Sequence, residues 1–480
     1  MASKERNASL AELAEGRLGP LLFKYSWPAL VAMSLNALYA VVDRFYIGQG
    51  CGEAAMAALT LSMPVMMFFG ACGVFIGAGH SALLSIKLGE GDQTACERIM
   101  GELVTLKLLF FLVLPPLVFL NLDAVIGLCG GREVSAEAFE QARTYLRLVM
   151  FSHLFSHLSF GLSAAMRSEG RSVRSMTCMI IGFGANLLLD PILIFGVDIA
   201  WLPVRVPAMG VAGAAWATNI AMALSCLYAL SYYWSGRSVV KLRWRRLGLY
   251  RAFVSRAAGI GLAPFLQQFL GALINVVLAA AFGKWAADEA AATQQIASLG
   301  VFQSVMILVL MPILGAQQGL QPIFGYNWGA RNYRRVRDAL FLGFWTTTAL
   351  CVIASLIQVI PAFAERLVAL FVASDNPELR ALAVGDLQLS NCMLWCIGLN
   401  VVATTFFQSI GRPGVAIVLS TLRQGVVLLP IAWFLPYFVR NHNAAIWLSM
   451  PVSDVACCLL TILPIGLYMR FLSRLRTRRP

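Results

Sequence analysis

Two stretches of this chain, about half its length apart, read as versions of one another. Gly89 in LGEGDQTACERI matches Gly329 in WGARNYRRVRDAL, and Gly170 in RSEGRSVRS matches Gly411 in QSIGRPGVA. Both offsets are about 240 positions, so the second half of the chain repeats the first. In an apolar chain, an internal repeat of this size predicts a transporter built from two related bundles with its pathway between them.

Charged residues make up only 13% of the sequence against 59% hydrophobic, roughly half the charge of a soluble domain. Apolar runs long enough to cross a bilayer recur at 20–48, 53–86, 94–121, 134–166, 171–196, 209–235, 248–283, 288–325, 334–361, 376–409, 412–438 and 443–471. The prediction is an all-α polytopic membrane protein with twelve transmembrane helices, six per half. An even count gives both repeats one orientation, related by a pseudo-twofold axis along the membrane normal. The expected lobes are residues 1–235 and 248–480, joined by a linker at 236–247 that is read as a basic amphipathic element on the inner membrane face.

Basic residues set the orientation. Alternate connections carry Lys87 and Arg98; Arg167, Arg171 and Arg174; seven between Arg237 and Arg256; and Arg331, Arg334, Arg335 and Arg337. The tail adds Arg470, Arg474, Arg476, Arg478 and Arg479, while the other side holds little beyond Arg132, Arg205, Lys284, Arg366 and Arg440. The positive-inside rule places both termini in the cytoplasm. It also accounts for the net charge of +13 without nucleic-acid binding. The first apolar run exceeds a signal-peptide core and reads as an uncleaved span. The eleven cysteines show no metal-type spacing.

A carboxylate inside a span is expensive, and so is a functional candidate. Asp43 in YAVVDRFYIG and Asp190 in GFGANLLLDPILIFG lie at similar depth near the outer ends of the first and fifth spans. Asn186, four residues before Asp190, shares its helix face. Two carboxylates beside an amide can hold a proton or a small cation. Arg44 points away from Asp43 and reads as a snorkelling side chain. Asp454, in the middle of the last span, serves either a C-terminal cavity or an interhelical hydrogen bond. Gln267, Gln268, Asn275, Gln294, Gln295, Asn391 and Asn400 glue helices or line a path. His153 and His157 lack the carboxylate of a metal site, Lys107 has no identifiable partner, and Met63, Met66 and Met67 read as core.

Taken together, the sequence resembles the multidrug and toxic compound extrusion (MATE) family, in its MepA- and DinF-like bacterial branch. The resemblance rests on VVDRFYIGQG, GHSALLSIKLGEGD, MRSEGRS, NLLLDP, GVAGAAWAT, GLQPIFGYNWGARNYRRVRDA, FQSIGRP and LRQGVVLLP, in that order over nearly the whole chain. It implies the MATE fold, with two six-helix lobes around a central cleft. It also implies a secondary active antiporter that exports hydrophobic or cationic drugs or toxic metabolites in exchange for H⁺ or Na⁺. By resemblance, Asp43, Asn186, Asp190, Tyr145 and Thr218 form one cation-coupling and substrate-binding network, and Pro28 is a helix-bending position. The second half offers only Gln267 and Gln268 in the seventh span, and Asp386 near the end of the tenth, where another branch of the family carries carboxylates. The coupling site is therefore expected in the first half, with Gln267, Gln268 and Asp454 a polar site in the second.

The alternatives are a flippase of the same superfamily moving a lipid-linked substrate, an intramembrane enzyme, and a channel. A flippase of this kind tends to carry basic cavities. The chain has no HxxxxD, HExxH or Gly-x-Ser-x-Gly motif and no repeated filter-like loop. The expectation is a monomeric transporter of the bacterial cytoplasmic (inner) membrane that is not an enzyme. It would need no cofactor beyond the coupling ion and no nucleic-acid partner.

Overall fold

Glycines and short polar caps set where the apolar runs stop. The computed structural model describes residues 2–131, 134–199, 204–372 and 376–477. Arg132, Arg478 and Arg479, counted above for the orientation, lie outside them. The first half runs through α1 (Ala2–Glu15), α2 (Leu18–Glu90), α3 (Gln93–Leu120), α4 (Leu122–Ile126), α5 (Ala136–Val149), α6 (Ser152–Ser168) and α7 (Ser172–Phe195). It continues through strands β1 (Val197–Ile199) and β2 (Val204–Val206) to α8 (Gly210–Trp234). The second half holds α9 (Arg251–Trp285), α10 (Glu289–Gly329), α11 (Tyr333–Val359), α12 (Pro361–Val368), α13 (Pro377–Asn391), α14 (Ile397–Ser409), α15 (Pro413–Thr421), α16 (Leu429–Phe434) and α17 (His442–Thr477).

Among the described residues, ten helices or helix runs are long and apolar enough to cross a membrane. The pair α5 and α6, bent by 48°, adds an eleventh crossing. One of the ten, α2, has 73 residues and breaks at Gly52, whose φ of 77° is left-handed. At about 1.5 Å per residue it is several times longer than the hydrocarbon thickness. Its two limbs count separately, and the total is consistent with twelve spans. The antiparallel β1–β2 pair, with Val197 opposite Val206, departs from the expected all-helical chain. The helix ends there because Gly196 takes φ 76°, with no room for a Cβ beside Ala208 N and Val206 O.

The duplication extends to the backbone of the turns. After α2, Gly91 N bonds Leu88 O and Asp92 N bonds Lys87 O. After α10, Arg331 N bonds Trp328 O and Asn332 N bonds Asn327 O. Gly91 and Arg331 both have positive φ, 74° and 57°. Asp92 and Asn332 then cap the next helices through Ala95 N and Arg335 N. The turns at Gly170 and Gly411 repeat likewise, with φ of 78° and 72°.

Packing divides the chain into two units. The first is Met1–Glu15 with Val31–Gly261, and the second is Gly16–Leu30 with Leu262–Pro480. In the first, a core of Ile47, Leu59, Phe69, Ile126, Leu146 and Ala214 joins α2, α4, α5 and α8. Gly213 presses α8 onto the Leu193 carbonyl of α7, and Gly79 of α2 meets the Ala257 carbonyl at the start of α9. In the second, Leu278, Phe282, Leu299 and Trp447 join α9, α10 and α17. There Gly315 and Gly319 of α10 lie against Leu30 and Ser26 of α2.

The linker differs from the expected amphipathic element. Beyond a single 3₁₀ turn at Trp244–Arg246 it forms no helix, and Ser238, Val239 and Val240 are buried. Three buried carboxylates of the first unit hold it. Glu169 accepts from Val239 N and Val240 N, Glu97 pairs with Arg243 at 3.0 Å, and Glu102 accepts from Tyr250 N at 2.8 Å. The linker's arginines and Trp244 are left largely exposed while the Val-Val pair is buried.

Candidate functional site

Three of the five network residues expected from the sequence are joined by hydrogen bonds. Asn186 and Asp190 stand one turn apart on α7, and Asn186 Nδ2 donates to Asp190 Oδ1 at 3.1 Å and to Thr218 Oγ1 at 3.3 Å. Thr218 in turn donates to Ala214 O at 3.1 Å within α8, which fixes its rotamer. Asn186 and Asp190 are 0% exposed and Thr218 5%. The close contact of α7 and α8 at Gly213, about a turn from Thr218, brings these side chains within reach.

Asp43 enters from the first limb of α2 and is buried, within electrostatic reach of Asp190. Tyr145 of α5 is buried and lies within electrostatic reach of both carboxylates, without a direct hydrogen bond to either. Arg44 is exposed; its Nη2 reaches Met63 Sδ at 3.5 Å, and its charge lies within electrostatic reach of Asp43 and Tyr145. The reading of the sequence missed Tyr39. It stands one turn before Asp43 on α2, lies beside Thr218 and stacks on Phe183 with ring centroids 5.6 Å apart. The available signal was its spacing of four from Asp43.

Two oxygens of this cluster, Asp190 Oδ2 and Asn186 Oδ1, are buried without a hydrogen-bond partner among the described residues. Leaving such acceptors unmatched costs about 1–3 kcal/mol each. A proton on the carboxylate or a cation held between hard oxygens would remove that cost. With Thr218 Oγ1, the donor set is all oxygen, as Na⁺ requires, and it contains the titratable group that H⁺ requires.

The other candidates fall elsewhere. Pro28 lies in the short α2 segment that belongs to the second unit, and the helix continues through it without a non-helical dihedral. Gln267 and Gln268 are exposed on α9. Asp454 is 2% exposed and pairs with Arg423, Nε to Oδ1 at 2.7 Å. Asp386 accepts from Ser298 Oγ at 2.6 Å. Lys107 does have a partner, the Gly73 carbonyl at 2.6 Å. His153 stacks on Phe69 at 4.6 Å. Asn400 bonds Leu419 O and Thr461 Oγ1, and Gln295 bonds Trp447 Nε1, as helix glue.

The MatE family model matches residues 28–192 and, separately, residues 260–434, so each half matches it once. The chain is 24% identical over 466 residues to the multidrug export protein MepA of Staphylococcus haemolyticus (strain JCSC1435), covering 95% of each chain. It superposes with a TM-score of 0.85 on the outward-facing conformation of a multidrug resistance MATE family transporter of the MOP superfamily. That match is 21% identical and covers 96% of this chain and 98% of the other. With the MATE multidrug transporter DinF-BH in complex with R6G, the TM-score is 0.80 at 28% identity, covering 93% and 95%.

Proposed function

Because the chain belongs to the MatE family of multidrug efflux transporters, we propose that it is a secondary active antiporter that exports hydrophobic, cationic compounds in exchange for H⁺ or Na⁺. It is a multi-pass membrane protein and a transporter, not an enzyme. We place it in the bacterial cytoplasmic membrane, acting as a monomer with both termini inside.

The observation that carries the coupling role is the buried cluster of Asp43, Asn186, Asp190 and Thr218, with two acceptor oxygens unmatched. In this reading Asp43 and Asp190 alternate between two occupants. Ionised, they attract the positive charge of the cargo. When a proton or Na⁺ enters from outside, the site is neutralised and that attraction is lost, so the cargo leaves outward. Return to the inward-facing state delivers the ion to the cytoplasm, and the ion gradient supplies the work. Tyr145 and Tyr39 close the site from α5 and α2, and Pro28 is the position where α2 bends during the exchange. A flippase for a lipid-linked pyrophosphate would favour basic groups, whereas this cluster carries two carboxylates.

The test is gradient-driven uptake of a cationic dye into proteoliposomes, with a pH gradient and a Na⁺ gradient imposed in turn. Asp43→Asn and Asp190→Asn should insert normally and lose driven transport, while Asp386→Asn should have a milder effect. Full transport by both first-half variants at normal expression would refute the assignment.

A further inference from the structure

Basic residues are scarce on the side of the membrane where α9 ends, and two of the few found there meet at one cavity. Lys284 lies at the end of α9, and Arg440 lies in the connection between α16 and α17. The cavity holds about 690 Å³, within the range of small-ligand sites. Both cations line it, together with Trp285 and with Asn441, His442 and Asn443 at the start of α17. No carboxylate lines it. The acid next along the chain from Lys284, Asp288, is engaged in capping α10 through Ala291 N at 2.7 Å, and Glu289 follows in the exposed first turn of that helix.

The ammonium is held in place rather than left to wander in solvent. Lys284 Nζ donates to Tyr437 Oη at 2.6 Å and lies 4.9 Å from the ring centroids of Trp433 and Tyr437 and 5.5 Å from that of Trp285. His442 donates from Nδ1 to Pro436 O at 2.7 Å and its ring packs 4.4 Å from Trp285, which fixes a second wall. Rings steady a cation without neutralising it. Neither Lys284 nor Arg440 has an ion-pair partner among the described residues, and the Arg440 guanidinium is exposed with its fork of donors uncommitted. Such a fork matches two oxygens of a phosphate, beside which a lysine acts as a point charge. The same corner carries exposed apolar rings: Tyr437 is 54% and Phe438 84% exposed, with Phe434 nearby at the end of α16. At the boundary of a span, rings of this kind lie against lipid.

We propose that this cavity binds the phosphodiester headgroup of an anionic phospholipid from the adjoining leaflet, and that the lipid ties the end of α9 to the start of α17. Lys284 and Arg440 hold the phosphate, and the exposed rings favour a phosphate that carries acyl chains over a free one. The site lies wholly within the second unit and is independent of the coupling cluster.

Native mass spectrometry of the purified full chain counts the lipids it retains. Dioleoyl phosphatidylglycerol and dioleoyl phosphatidylcholine, titrated separately, share their acyl chains and differ in net charge. Wild type should bind the first phosphatidylglycerol about tenfold more tightly than phosphatidylcholine. Lys284→Gln combined with Arg440→Gln should bring the two lipids to within about twofold and leave phosphatidylcholine binding unchanged. Arg440→Gln alone disturbs none of the ring contacts and should already lower the preference about threefold. Arg366→Gln removes another cation from the same side and should keep the full preference. A preference that survives the double variant, or that falls as far in Arg366→Gln, overturns the site. Displacement of the lipid by inorganic phosphate or glycerol 3-phosphate at the lipid's own concentration would show a free-anion site and overturn the lipid assignment.

Discussion

Replacing Glu169 with alanine should release the linker from the first unit. The carboxylate is fully buried. Its Oε2 accepts from Tyr232 Oη at 2.9 Å and Val239 N at 3.0 Å, and its Oε1 accepts from Val240 N at 3.3 Å. Alanine strands all three donors. At about 1 kcal/mol for each bond, the local loss is about 3 kcal/mol, and more if the donors stay dry. Glutamine separates the contributions. Its single carbonyl oxygen can stand in for Oε2 and keep two donors, but its NH₂ then faces the Val240 N–H. The expected cost is about 1 kcal/mol. Arg237, Lys241 and Arg243 lie in the segment that would open, so limited trypsin digestion followed by mass spectrometry reads the equilibrium directly. Cleavage of a transiently opened segment follows its open population. About 3 kcal/mol corresponds to cleavage faster by on the order of a hundredfold for alanine, with roughly fivefold for glutamine. Cleavage of both variants within about twofold of wild type would show that the carboxylate does not hold the linker.

Other outcomes follow from the backbone. A Cβ at Gly79 would fall on the Ala257 carbonyl, whereas one at Gly70 of the same helix meets nothing within 4 Å. Gly79→Ala should therefore destabilise the detergent-solubilised protein by about 1–3 kcal/mol and Gly70→Ala should be neutral or stabilising by up to about 1 kcal/mol, as read by thermal melting. Arg331 is exposed and takes the left-handed conformation, φ 57°, that glycine takes at the matching Gly91. Arg331→Gly should be neutral or stabilising by up to about 1 kcal/mol, and Gly91→Ala destabilising by about the same amount, in the same melting assay.

The spans were legible because hydrocarbon demands long apolar runs, and Asp43 and Asp190 stood out because a charge inside such a run is costly, with the Asn186 amide one turn from Asp190. Tyr39 was not, since an aromatic in an apolar helix looks like packing until Thr218 is seen beside it. Lys107 gave no sign of its partner because that partner is a backbone carbonyl, which no side chain marks in the sequence. Arg423 and Asp454 are 31 residues apart on different helices, so only tertiary structure pairs them. The linker was misread for a related reason. Glu97 and Glu169 sit near helix ends, where carboxylates are ordinarily solvated, Glu102 lies farther into α3, and only the fold brings them to Arg243, the Val-Val segment and Tyr250. The β1–β2 pair is too short for an alternating pattern to register.

The duplication also bears on the proposal that coupling belongs to one half. Aligning VVDRFYIG with VVLAAAFG places Leu278 opposite Asp43, and aligning LLLDPI with VVLLPI places Leu429 opposite Asp190. Both leucines belong to one apolar cluster of the second unit, where Leu278 is 1% exposed and Leu429 packs against it. The same backbone positions thus form a polar cluster in one repeat and ordinary core in the other. The leucine solution should be transferable. In Asp43→Leu combined with Asp190→Leu, Asn186 loses its bond to Asp190 Oδ1, at a cost of about 1 kcal/mol. Each buried leucine returns about 2 kcal/mol, and no buried carboxylate has to be accommodated. The double variant should express and melt at or above the wild-type temperature while losing both pH- and Na⁺-driven dye transport. A lower melting temperature would show that the acidic cluster holds the first unit together, and driven transport in the stable double variant would remove coupling from these residues altogether.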